Sequence, residues 1–152
     1  SGDIIFSSPA KLDDLILVGS DDTYLYALNA KDGTVNWKFK TDGKVFASPS
    51  IAEQVAYFGS DDGYLYALNG QTGKLIWKTN LHGRILGSAA IAGPGIYVGS
   101  SDGFLYGLKR DSGKIAWKYE IGDRVWSSPT IIDGVIYVGA HDGFVYALGK
   151  PE

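Results

Sequence analysis

The chain contains no cysteine and no methionine. Without thiols it can form no disulfide, no thiolate metal site and no cysteine nucleophile. Histidine is scarce: only His82 and His141 occur, and no two stand at i, i+4, so the usual zinc spacings are missing. No stretch of about 18 apolar residues exists, so neither a membrane-spanning helix nor membrane insertion is expected. Positive charge is in deficit, with 14 Lys and Arg against 17 Asp and Glu. A net charge of -3 argues against binding to nucleic acid or to an anionic membrane surface. No signal peptide is visible, and Ser1-Gly2 in a chain lacking Met reads as a trimmed N-terminus.

What is present is glycine, 21 residues, with 10 Tyr and 4 Trp in a chain of 152 residues that is 45% hydrophobic. That is enough for the core of one domain, and these residues recur at a fixed spacing of 40. Trp37, Trp77 and Trp117 follow this step, as do Gly19, Gly59, Gly99 and Gly139. So do Tyr26, Tyr66, Tyr106 and Tyr146, and Ser8, Ser48, Ser88 and Ser128. Gly19–Lys38 matches Gly59–Lys78 at 13 of 20 positions. The repeats are 3–42, 43–82, 83–122 and 123–152, together a single domain of 3.8 repeats.

Each repeat reads as four short strands. In the last they are expected near Val125–Ile131, Val135–Gly139 and Phe144–Leu148; the outermost is clearest in the third repeat, at Lys114–Tyr119. Asp62-Gly63, Asp102-Gly103, Asp133-Gly134 and Asp142-Gly143 supply hairpin turns, because glycine accepts positive φ without steric cost. No segment keeps a helical period over three turns. Strands such as Tyr64–Leu68 and Val135–Val138 are apolar on both faces, so both must be covered. With no helices available, neighbouring sheets must do the covering. Four-stranded antiparallel sheets of about 40 residues packed around an axis make a β-propeller, and an all-β propeller is the expected fold.

The pieces Ser128-Pro129, Tyr97-Val98-Gly99-Ser100, Gly63–Leu68 and Thr72-Gly73-Lys74-Leu75-Ile76-Trp77-Lys78 resemble the pyrroloquinoline-quinone-type (PQQ-like) propeller repeat. The resemblance runs from Ile4 to Leu148. It implies that Trp37, Trp77 and Trp117, with Gly33, Gly73 and Gly113, act in blade-to-blade docking of the kind called the tryptophan-docking motif. It also implies seven or eight blades and an extracytoplasmic location, in the periplasm or at the cell surface. Among the family's non-catalytic members it is similar to the lipoprotein propeller of outer-membrane β-barrel assembly.

The fourth repeat lacks its Gly-Lys-x-x-Trp strand, leaving 15 strands. The chain therefore reads as a piece of a longer propeller, as half of an eight-bladed ring, or as four blades closing alone. An uncovered half-ring would expose the faces of its end blades. A homodimer completing one eight-bladed ring is the expectation, because every repeat already encodes face-to-face packing.

No constellation points to catalysis. Asp21-Asp22 and Asp61-Asp62 lack the further oxygens of a calcium loop and read as turn residues. Gly73-Lys74 lacks the upstream glycine, the hydroxyl and the helix of a phosphate loop. Ser8, Ser48, Ser88 and Ser128 recur in every repeat, which marks a structural duty near the axis. Function is sought where the repeats differ. Lys44, Arg84 and Arg124 are expected to ring one mouth of the channel, beside Phe6, Phe46, Leu86 and Trp126. Lys44, Arg84, Arg124 and Trp126 are accordingly the candidate partner-binding residues, for a protein or a small anionic ligand. The competing expectation is that these cations pair with Asp22, Asp62, Asp102 and Asp142.

The functional expectation is a non-catalytic interaction scaffold with no cofactor and no metal, not an enzyme. One alternative is a fragment of a PQQ-dependent quinoprotein dehydrogenase; zero Cys weighs against it, since the resemblance implies a vicinal disulfide in the alcohol dehydrogenases. The other is a carbohydrate-binding propeller; most of the 20 aromatics follow the repeat and read as core, and Trp126 is the one singled out as a candidate.

Overall fold

Alternating strand and turn signals at a constant spacing leave the backbone one economical solution, a series of meanders. The computed structural model describes residues 1–149. Blade 1 comprises β1 (Ala10–Leu12), β2 (Leu15–Gly19), β3 (Tyr24–Asn29) and β4 (Val35–Lys40). Blade 2 comprises β5 (Ser50–Ala52), β6 (Val55–Gly59), β7 (Tyr64–Asn69) and β8 (Leu75–Asn80). Blade 3 comprises β9 (Ala90–Ala92), β10 (Gly95–Gly99), β11 (Phe104–Lys109) and β12 (Ile115–Glu120). Blade 4 has β13 (Thr130–Ile132), β14 (Val135–Gly139) and β15 (Val145–Leu148). Each sheet runs in sequence order with antiparallel neighbours, which gives four sheets of four, four, four and three strands. The all-β, propeller-like arrangement and the short last blade agree with the sequence expectation.

The first strand of each blade is shorter than expected. In blade 4 the expected Val125–Ile131 shrinks to Thr130–Ile132. The preceding residues bond across blades instead: Val125 N donates to Ser100 O, and Ser88 N donates to Ser128 Oγ. Pro129 has no N–H to offer a ladder. The recurrent serines thus link neighbouring inner segments, as Ser8 N donating to Ser48 Oγ also shows.

The core lies between sheets. One cluster joins Leu17, Leu25 and Ala27 of blade 1 to Val45, Phe58 and Leu68 on the blade 2 side. A second joins Leu65 and Ala67 to Ile85, Ile96 and Leu108, and a third joins Leu105 to Val125, Ile136 and Val138. Blades 2 and 3 are therefore apolar on both faces because each face belongs to a different core, whereas blades 1 and 4 each contribute to one. Removing such surface from water is worth about 25 cal/mol per Å².

Candidate functional site

The repeating junction between blades has a plug and a socket. Val45, Ile85 and Val125, the first inner residues of blades 2 to 4, are fully buried. A Cβ built on Gly19 would lie 2.5 Å from Val45 Cγ1, one on Gly59 2.1 Å from Ile85 Cγ2, and one on Gly99 2.3 Å from Val125 Cγ1. Glycine is required because the neighbouring side chain occupies that space. The register continues at both ends without a partner. Gly139 is the fourth socket, and a Cβ there meets only Ser127, at 3.6 Å. Ile5 is the equivalent plug, and it is 46% exposed. Likewise Leu25, Leu65 and Leu105 are fully buried, whereas Val145 at the same position of blade 4 is 75% exposed.

Indoles bridge the same junctions farther out. Trp37 Nε1 donates to Gly70 O at 3.0 Å, and Trp77 Nε1 donates to Arg110 O at 3.1 Å. These acceptors sit in the turn after the third strand of the next blade rather than in a strand. Gly73 lies against the Trp37 ring and Gly113 against the Trp77 ring, where an added Cβ would come within 2.7 and 2.5 Å. Gly33 faces open space, and the carbonyl corresponding to Trp117 falls at position 150, outside the described residues.

The four equivalent residues Phe6, Phe46, Leu86 and Trp126, with Arg84, line one hollow of about 340 Å³. Phe6 and Phe46 stand 5.6 Å apart between ring centroids. Lys44 Nζ reaches Asp21 Oδ2 at 2.8 Å, and an Arg84 guanidinium nitrogen reaches Asp61 Oδ2 at 2.7 Å. The hydrogen bond to Asp21 pushes the Lys44 ammonium pKa up, and that to Asp61 does the same for Arg84. The pairing expected with Asp22 and Asp62 is corrected by one residue. Those aspartates are already taken: Asp62 Oδ1 accepts from Tyr64 N at 3.0 Å and Asp62 Oδ2 from Tyr66 Oη at 2.6 Å. Asp22, Asp102 and Asp142 close their turns in the same way, accepting from Tyr26, Tyr106 and Tyr146. Burial, then the bond to the carboxylate, pushes the Tyr26 phenol up to about 12 and raises Tyr66 and Tyr106 too.

Position 21 of the repeat then changes chemistry. Asp21 and Asp61 are followed at the same register by Ser101 and His141. Arg124, the cation that faces Ser101, makes no ion pair among the described residues. Its guanidinium lies over Trp126, 5.5 Å from the ring centroid. Trp126 Nε1 donates to Ser101 Oγ at 2.8 Å, and His141 meets the same indole edge-on at 4.2 Å. The sequence signal for this is the series Asp, Asp, Ser, His at one register, which breaks the repeat where the cation series keeps it. Among the described residues no group of three or more His, Cys, Asp or Glu is placed to hold a metal, and His82 and His141 belong to no such group.

The chain matches the PQQ_2 family, described as outer membrane protein assembly factor BamB, over residues 3–83 and 61–150. The chain belongs to this family. Among solved structures, BamB from Moraxella catarrhalis superposes with a TM-score of 0.83 at 18% identity, over 97% of this chain and 47% of that one. The present chain thus spans about half the length of that BamB. The computationally designed Ika4 protein superposes with a TM-score of 0.87 at 16% identity, over 98% of this chain and 92% of that one. A quinohemoprotein alcohol dehydrogenase from Pseudomonas putida shares the fold with a TM-score of 0.81 at 16% identity, over 91% of this chain and 28% of that one. No curated protein matches. Membership of the BamB family groups the chain with a non-catalytic assembly factor; the likeness to the dehydrogenase is one of fold alone.

Proposed function

We propose that this BamB-family chain is a non-catalytic, extracytoplasmic interaction scaffold whose four blades join a second copy to make one eight-bladed ring. The observation that carries the ring is the matched pair of vacancies, the empty socket at Gly139 and the uncovered plug at Ile5. The other three junctions use the same two positions, so the last sheet of one copy offers the socket that the first inner segment of the other copy fills. Each junction joins unlike faces, and a twofold axis along the channel repeats it, so that Ile5 of each copy meets Gly139 of the other. Lys44, Arg84, Arg124 and Trp126 then lie at the channel mouth as the partner-binding surface, with no cofactor required. The same faces would also suit further blades of a longer propeller, as the half-length match to BamB suggests.

Val145→Glu tests the ring, because it places a charge at a position fully buried at each internal junction. In sedimentation the substituted chain is expected at 16.3 kDa and the parent at twice that. A parent that also sediments at 16.3 kDa overturns the two-copy reading and favours covalent neighbouring blades.

A further inference from the structure

The channel mouth is built to one electrostatic rule, and blade 4 breaks it. At the first two junctions a cation two residues before the apolar wall residue is neutralised by an aspartate of the preceding blade, Lys44 by Asp21 and Arg84 by Asp61. At the third junction the cation and the wall residue remain, as Arg124 and Trp126, but the acid is replaced by Ser101. Ser101 does not neutralise Arg124; its Oγ accepts from the Trp126 indole and donates to Arg84 O at 2.9 Å. The indole is thereby fixed in orientation with one face under the guanidinium. Arg124 is solvent-exposed and keeps its planar fork of donors available.

We propose that Arg124 and Trp126 form a binding site for an acidic peptide segment of a partner protein, one carboxylate side chain engaging the guanidinium and an adjacent apolar side chain filling the hollow. Charge complementarity selects the carboxylate, since an Arg fork matches it with two parallel hydrogen bonds. The hollow selects the neighbour, because its walls, apart from Arg84 with its guanidinium held by Asp61, are aromatic or aliphatic and are contributed by every blade. A shallow, open-mouthed hollow suits a protruding side chain better than an enclosed small molecule. Ser101 and His141 act as positioning residues that hold the indole from two sides. The inference rests on the scaffold reading but not on the two-copy ring.

The test is a nuclear magnetic resonance titration of the full chain with N-acetyl-Leu-Glu-Phe-Glu-amide and with the same peptide carrying Gln for both Glu. The indole N–H of Trp126 and the guanidinium of Arg124 are expected to shift saturably with the acidic peptide, and the Gln peptide to bind about tenfold more weakly or worse. Ser101→Asp recreates the acid found at Asp21 and Asp61, so it should capture Arg124 and weaken the acidic peptide by about tenfold. Arg124→Gln serves as a second variant if that one does not fold. Equal affinity for the two peptides, unchanged affinity in both variants, or shifts confined to Trp37, Trp77 and Trp117 would overturn the site. Shifts with sodium acetate that match those with the acidic peptide at equal concentration would point to a free carboxylate and overturn the peptide. The sedimentation mass, measured on the same samples, separates failure of the site from failure of the ring.

Discussion

Two alanine substitutions at equivalent positions should behave differently, and the difference measures whether the last junction is occupied. Gly59→Ala adds a Cβ 2.1 Å from Ile85 Cγ2 and 2.6 Å from Ile85 Cβ, inside a closed junction. Ordinary carbon contacts are about 3.5–4.0 Å, so Ile85 must retreat by roughly 1.5 Å. Such overpacking costs about 1–3 kcal/mol. Gly139→Ala places the same atom against Ser127 Oγ at 3.6 Å, an ordinary contact. Within one copy it therefore costs nothing sterically, and reduced freedom of the unfolded chain adds about 0.4–1 kcal/mol of stability. In the two-copy ring the partner's Ile5 fills that socket, and the clash returns as lost association. The assay is urea unfolding at two protein concentrations, with sedimentation in parallel. Gly59→Ala should lower stability at both concentrations. Gly139→Ala should abolish the concentration dependence that association confers on the parent. A Gly59→Ala chain as stable as the parent would refute the plug-and-socket reasoning. A Gly139→Ala chain that still associates like the parent would refute its extension to the open end.

The indole bridge gives a second expectation: Trp77→Phe keeps an aromatic ring, though a smaller one, and removes the donor to Arg110 O. Unfolding should show a loss of about 0.5–1.5 kcal/mol, more if that carbonyl stays dry. The tyrosine–aspartate turns give a third. The folded phenol of Tyr26 ionises near 12, above the ordinary value of 10.0, so the stabilisation is full below pH 10 and is lost as pH rises toward 12. Unfolding midpoints followed with pH should fall across that window, in step with the phenolate absorbance; a midpoint flat from pH 10 to 12 would contradict the assignment. The same turns hold Asp142 below its ordinary value through the bonds from Tyr146 and Phe144, and that contribution disappears only as pH falls below 3.8.

The architecture was legible because its determinants are local and repeated. Gly63 and Gly103 sit at positive φ in the turns their Asp-Gly pairs announce, and the two-sided apolar strands name their own packing partners. Other features were not legible, for physical reasons. Glu53 and Gln54 both adopt positive φ with no glycine to signal it, so the blade context must impose that turn. The choice between Asp21 and Asp22 as the partner of Lys44 turns on one residue of alternation, and Asp22 is already occupied by the Gly2 and Tyr24 N–H groups and the Tyr26 hydroxyl. Of the candidate residues, Arg84 and Trp126 line the hollow, while Lys44 is paired with Asp21 and Arg124 lies over the Trp126 ring. What sequence reading missed was the acceptor series ending in Ser101 and His141, because those side chains define a site by failing to repeat.

The most direct measurement is sedimentation equilibrium of the unsubstituted chain across a range of concentrations. The account predicts a single species of twice 16.3 kDa that dissociates only on dilution, with Ile5 of each copy seated against Gly139 of the other. A compact species of 16.3 kDa at every concentration would contradict it.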